Sequence, residues 1–350
     1  MDVTYYSLLC ALLFCSVIVY AQNCVPTFQN NEAEIELNNQ KRTITVTGCL
    51  TGYHLPTVNI DSVNIKGQVI PSLNSGAISN IQHEFQINII HNEIDIIREH
   101  AFRNLPRLQN LYLDHNHITS VESFAFENLP SVKGIYLRNN NIDLIQKDTF
   151  VNLPRLGVIY INNNKLKKFD QNWFVSTPTL EWIVLEGNQI TSLKRAAFQD
   201  LTSLTAIDFT NNNLRYIHPG AFYRLNELEE LSLGENELTS FEEVNLSYSS
   251  ALYRLSIDHN KFTYLSPRFF NAVRNTMKEI YMQGNPLQCA CVDELVLWAS
   301  NNDIKLHWKC EDKEVYCVFP LSSENDCEKR PISQFNSSLI ESFRSDCTIE

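Results

Sequence analysis

The sequence predicts an α/β solenoid, a horseshoe of stacked coils with a parallel β-sheet on its concave face and disulfide-bonded caps at both ends. Three observations predict it. Asparagines recur every 24 residues, at Asn92, Asn116, Asn140, Asn164, Asn188, Asn212, Asn236 and Asn260, and self-similarity at such a period signals a solenoid. Aliphatic residues keep a constant register around each asparagine. After residue 21 the cysteines sit only near the two ends, with none between Cys49 and Cys289, as expected of a self-supporting middle with stapled termini.

Taken in order, residues 1–21 read as a secretory signal. Ser7 to Tyr20 is an apolar run of the right length, and Val19-Tyr20-Ala21 offers a small residue at the cleavage point. No Lys or Arg precedes the run, a departure from the usual pattern. No later stretch reaches the ~18 apolar residues of a membrane helix, and the polar tail from Ile332 resembles no lipid-anchor signal. The expectation is a chain secreted into the extracellular fluid. Eight cysteines then remain, Cys24, Cys49, Cys289, Cys291, Cys310, Cys317, Cys327 and Cys347, and an even number in an exported chain reads as disulfides.

Residues 22–59 form the N-terminal cap, with Thr43 to Thr47 strand-like. Residues 60–83 are a degenerate first repeat: Val63, Ile65, Gln68, Ile70 and Leu73 lie 24 residues before Ile87, Ile89, Asn92, Ile94 and Ile97, with Gln in place of Asn. Residues 84–288 carry the regular repeats. Five and three residues before each asparagine stand two aliphatic or Phe side chains, such as Leu111 and Leu113 before Asn116, and that period of two describes a short strand with one buried face. Ten residues after it comes Phe102, Phe126, Phe150, Phe174, Phe198 or Phe222, then Leu246 and Phe270, a spine behind the strands. The asparagine suits the sharp turn after each strand, where a short side chain with both donor and acceptor satisfies buried backbone groups. Ile280, Met282, Asn285 and Leu287 continue the pattern with a slip of one residue.

The run Leu108-x-x-Leu111-x-Leu113-x-x-Asn116-x-Ile118-x-x-Val121 resembles the consensus of extracellular leucine-rich repeats, over about 84–290. The segment Asn285-Pro286-Leu287-Gln288-Cys289-Ala290-Cys291, with Leu295, Trp298, Cys310, Cys317, Pro320 and Cys347, resembles the cysteine-rich cap of that family, assigned here to 289–350. That cap usually has four cysteines; this one has six, so 15 pairings are open. At the other end the family often uses four, and the pair present implies a Cys24–Cys49 bridge. The chain looks most like insect secreted leucine-rich proteins, including the leucine-rich immune proteins of mosquitoes, in a short form without the C-terminal coiled coil. That resemblance implies innate immune recognition or stabilisation of an effector complex. An adhesion or developmental ligand-binding role is the alternative.

Function is sought on the outward residues of the concave face. Tyr112, Tyr136 and Tyr160 fall in one column with Trp182 beside it and Arg138 nearby; exposed aromatics on a rigid surface anchor interfaces, whereas in-register Tyr residues also simply pack across strands. Glu186, Asp208, Glu230, Glu235, Asp258 and Glu279 against Arg254 make the following half acidic, suited to an extracellular protein partner with a basic surface. The net charge of −12 disfavours a phosphate-gripping surface, so no nucleic-acid partner is expected. A non-covalent oligomer is compatible with the even cysteine count. Asn245 and Asn336 open Asn-x-Ser glycosylation sequons.

Catalysis, cofactor and metal find no support. There is no Gly-rich phosphate loop, Gly-x-Ser-x-Gly elbow or His-Glu-x-x-His run. Cys289-x-Cys291 lacks the paired knuckles of a zinc module. His91 and His115 share a column next to Asp114, a pattern usually met as solvated histidines and less often as a metal or pH-sensitive patch.

Overall fold

In the computed structural model, residues 24–241, 243–309, 317–321 and 326–343 are described. Residues 1–21, which the sequence reading takes as a signal, lie outside them, as do Cys310 and Cys347. By compactness the chain divides into two units: residues up to 135 with 140–154 and 172–176, and residues 136–139, 155–171 and 177–350.

The first unit begins with an antiparallel hairpin, β1 (Phe28–Leu37) and β2 (Gln40–Gly48), joined through Asn38 and Asn39, both at positive φ. Asparagine tolerates that left-handed backbone, and two such residues make the turn that matches strand twist. β1 pairs antiparallel with β3 (Ser62–Lys66), and from there each strand is parallel to the last, through β4 (Phe85–Ile90) and β5 (Leu108–Tyr112). The switch explains Gln68. Its neighbour is the hairpin and not another coil, and the longer amide reaches across to accept from Glu32 N at 2.8 Å and donate to Glu32 O at 2.5 Å. Cys24 and Cys49 are disulfide-bonded behind the hairpin's base.

Between strands each coil of this unit closes with two-residue strands that pair in parallel, Ser72–Leu73, Ile96–Ile97, Ser120–Val121 and Leu144–Ile145. Phe102, Phe126, Phe150 and Phe174 stack with centroid spacings of 5.5, 5.3 and 5.2 Å. Offset stacks of this kind add to the burial of their large apolar area. The asparagines join successive coils: Asn116 Oδ1 accepts from Asn92 N at 3.0 Å, while its Nδ2 donates to Ile89 O and Leu113 O at 2.8 and 2.9 Å.

The second unit holds parallel strands β7 (Val158–Tyr160), β8 (Trp182–Val184), β9 (Ala206–Asp208), β10 (Glu230–Ser232), β11 (Arg254–Ser256), β12 (Glu279–Tyr281) and β13 (Lys305–His307). β6 (Gly134–Tyr136) ends in it at Tyr136. In β7 to β12 the middle residue is buried and its two neighbours face outward, the period of two that pleating imposes. Asn188, Asn212, Asn236 and Asn260 are buried, each donating to carbonyls of its own coil and the one before. Asn285 does the same from one residue further along, to Ile257 O and Met282 O at 2.9 and 3.0 Å. The least regular coil replaces Phe by Leu246 and Leu by Ser249, which is fully buried with no hydrogen-bond partner for its hydroxyl.

Helix α1 (Cys289–Asn301) closes the stack, burying Cys289, Val292, Leu295 and Ala299 at helical spacing and setting Trp298 over Phe270 at 5.4 Å. Disulfides Cys289–Cys317 and Cys291–Cys327 tie it to the segment that follows. Of the 15 pairings open to six cysteines, these two bridges leave Cys310 and Cys347 outside the described residues.

Candidate functional site

Every three-residue strand of the second unit presents two side chains, and the residue two beyond the strand shares their face. At one end of this surface Tyr136 and Tyr160 stack at 5.3 Å with rings 9° from parallel. The Arg138 guanidinium lies 5.4 and 5.6 Å from their centroids, a cation against the negative faces of both rings. These residues are half-buried, so cross-strand packing accounts for the pair. Tyr112, at the end of β5, belongs to the first unit.

Trp182 behaves differently. Its register partners are Val158 and Ala206, too small to cover an indole, and the residue is 46% exposed. It is the largest exposed apolar group on any strand of this unit.

Next to it the face turns acidic. Burial first, and then Asp208 and Glu235, push the Glu186 carboxyl above its ordinary range. No described cation pairs with these three carboxylates. Asp208 instead accepts a hydrogen bond from Thr210 N at 2.8 Å. Further along the same face the carboxylates have cationic partners. Arg254 pairs with Glu230 at 3.5 Å and Glu279 at 3.1 Å, Lys305 lies 3.7 Å from Glu279, and the Tyr253 hydroxyl bonds Glu230. The Tyr281 hydroxyl, donating at 3.1 Å, with Arg254 and Lys305, holds the Glu279 carboxyl below its ordinary range. Asp258 is buried between the Ser256 hydroxyl and His259 Nδ1, the latter at 2.8 Å. In that trio the serine bonds the carboxylate and not the imidazole, so the relay of a nucleophilic serine is not assembled.

Tyr281 and His307 stack at 4.1 Å, with burial lowering the imidazole's basicity. Sequence reasoning assigned His307 to the cap and missed this contact; the signal was Lys305-Leu306-His307, which repeats the polar-apolar-polar strand triplet. In the first unit His91 and His115 stack at 4.5 Å, and among the described residues no group of three His, Cys, Asp or Glu side chains is arranged to hold a metal ion. Asn245 and Asn336 are both exposed, and each accepts through Oδ1 from the serine two residues on, at Ser247 N and Ser338 N.

The leucine rich repeat profile matches residues 58–118, 106–166, 154–214, 178–238 and 204–262, together more than half the chain. This chain belongs to the leucine-rich repeat family. Among curated protein sequences none matches it. Among solved structures, the leucine-rich repeat chain resembles TLR13 in its complex with ssRNA13, at 26% identity and a TM-score of 0.55 over 61% of this chain and 31% of that one. It resembles the Drosophila Toll–Spatzle complex, a hub in development and innate immunity, at 19% identity and 0.59 over 67% and 32%. It also resembles the mouse RP105/MD-1 complex, at 23% identity and 0.59 over 82% and 46%. The last two likenesses are of fold alone, and this chain spans about a third to under half the length of the three. None of these matches is to an enzyme, and no described helix is long and apolar enough to cross a membrane.

Proposed function

We propose that this chain is a secreted, non-enzymatic leucine-rich repeat protein that binds a protein partner on the strand face of its second unit, in innate immune recognition or the stabilisation of an effector complex. The observation that carries the reading is the open Trp182 indole, left uncovered between Val158 and Ala206. A tryptophan held on a sheet loses little entropy on binding and makes a strong anchor once desolvated. Arg138 with the Tyr136–Tyr160 stack on one side, and the uncompensated Glu186, Asp208 and Glu235 on the other, suit a partner that offers an apolar side chain next to basic residues. That acidic rim and the net charge of −12 oppose an RNA ligand of the kind bound by TLR13. On this reading residues 1–21 are the signal, 22–59 and 289–350 the caps, and Asn245 and Asn336 carry glycans.

The second reading is an adhesion or developmental ligand-binding role; development is one of the two settings printed for the Toll–Spatzle complex, whose likeness to this chain is of fold. Both readings place the partner on the same face. The test is affinity capture from native body fluid with the secreted chain and with Trp182→Ala and Glu186→Gln variants. Loss of a captured protein in both variants, with unchanged thermal unfolding, supports the site; equal capture by all three chains refutes it, and the identity of the captured protein separates immunity from development.

A further inference from the structure

We propose that β2 is a self-association edge, through which two copies of this chain join their hairpins into one antiparallel sheet about a two-fold axis at Ile44. Among the described residues β2 is the terminal strand of its sheet, paired with β1 on one side only. Nine residues long, it contains no proline, and the single register shift of the hairpin lies in β1, between Phe28 and Asn31. Natural edge strands are usually blunted by shortness, proline, bulges or inward charge; from Thr43 to Thr47 this one is a run of β-branched residues, the class that suits a pleated surface.

The hairpin's turn decides which backbone groups face out. A two-residue turn makes Leu37 and Gln40 the closing hydrogen-bonded pair, and antiparallel pairs alternate from there. With Ile35 opposite Arg42 and Ala33 opposite Ile44, the even-numbered residues of β2 bond β1. Lys41, Thr43, Thr45 and Thr47 therefore aim their N–H and C=O groups away from the hairpin. An edge of this kind takes another strand, and three features select a second copy.

Antiparallel pairing about Ile44, the midpoint of β2, overlaps the whole strand and sets outward residues against outward residues, Thr43 to Thr45 and Lys41 to Thr47, so every such pair exchanges hydrogen bonds. The cations Lys41 and Arg42 sit together at one end and meet Thr47 and Val46 of the second copy, with no like charges opposed. Lys41 is moreover held by Glu34 at 2.9 Å. Finally, the half-buried Ile44 falls on the axis, where its apolar surface covers that of its own counterpart at the closer, non-hydrogen-bonded spacing of about 4.5 Å.

The test is sedimentation equilibrium of the full secreted chain and of Thr45→Pro. Proline there removes an outward N–H and leaves the bonds to β1 in place. A reversible dimer in the wild type, weakened roughly tenfold or more by Thr45→Pro with unchanged thermal unfolding, is the expected result. Ile44→Cys supplies a second readout: on mild oxidation it forms a covalent dimer, because the pair at the axis lies within disulfide range, whereas Lys41→Cys, facing threonine, does not. A wild-type chain that stays monomeric up to its solubility limit, or a dimer indifferent to Thr45→Pro, overturns the proposal.

Discussion

Replacing Asn212 tests the amide ladder at a position whose bonds lie within one unit. Its Nδ2 donates to Leu185 O, Phe209 O and Thr210 O at 2.9, 3.1 and 3.2 Å, and its Oδ1 accepts from Ile190 N at 3.0 Å. In Asn212→Ala the three carbonyls keep another donor, respectively Asn188 Nδ2, Asn236 Nδ2 and Gly187 N. The N–H of the fully buried Ile190 keeps none. One orphaned buried donor costs about 1 to 3 kcal/mol, and because the acceptors remain served the expected loss is about 2 kcal/mol, a sizeable share of a stability of order 5 to 15 kcal/mol. Asn212→Asp matches the native shape and is expected to be worse at neutral pH, since it turns a carboxylate onto three carbonyl oxygens. The sign with pH follows. The protonated acid donates where the carboxylate repels, so folding raises this carboxyl's pKa; the variant's stability is retained below the ordinary aspartate value of about 3.9 and falls as pH rises through the folded pKa. Urea unfolding followed by circular dichroism, from acid to neutral pH, reads both effects. An Ala variant within about 0.5 kcal/mol of wild type, the range of surface substitutions, or an Asp variant as stable as Ala at neutral pH, refutes the ladder argument.

Two further outcomes are expected. In Gly234→Ala the new Cβ would lie 2.6 Å from Asp258 Oδ1, and because that buried carboxylate is already held by Ser256 and His259 the change should cost about 1 to 3 kcal/mol by overpacking, seen as a lower unfolding temperature; no shift would mean that Asp258 is free to move. Asp208→Asn should bring the Glu186 carboxyl down toward its ordinary value, though not fully, since burial is the larger cause. An NMR titration of the Glu186 side chain reads this directly, and an unmoved titration would show that the two carboxylates do not interact.

The repeats were legible because their causes are local and recurrent. Asn116, Leu111 and Phe126 each occupy a position whose neighbours in space are the same residues one coil away, so a fixed period carries the contacts. Where that translation fails, so does sequence reading. β1 escaped notice because Glu32, Glu34 and Glu36 alternate with Ala33 and Ile35 only after the irregularity at Asn30 and Asn31, and its pairing is antiparallel. Gln68 looked like a decayed asparagine, yet it is fitted to Glu32, 36 residues away. The aromatic column was visible as residues, but the difference between Tyr136 and Tyr160, which cover one another, and Trp182, which stays about half open, depends on Val158 and Ala206 being its register partners. The charges of the acidic face were visible too, Arg254 among them, but not that Arg254 pairs with both Glu230 and Glu279 while Glu186, Asp208 and Glu235 have no described cation beside them.

The one-residue slip at Asn285 bears on how such a chain changes over generations. Asn285 is 25 residues after Asn260, yet its amide reaches Ile257 O as the others reach the coil before them. What is conserved from coil to coil is thus the handshake at the asparagine, and the spare residue is absorbed away from it. Duplicating or deleting a whole coil leaves each handshake intact, and small insertions between asparagines leave them nearly so. A gene for this protein can vary its length without redesigning its interior, while the hairpin, with Gln68 matched to one backbone position, and the cysteine-braced helix are unique fittings that mark where such lengthening must stop.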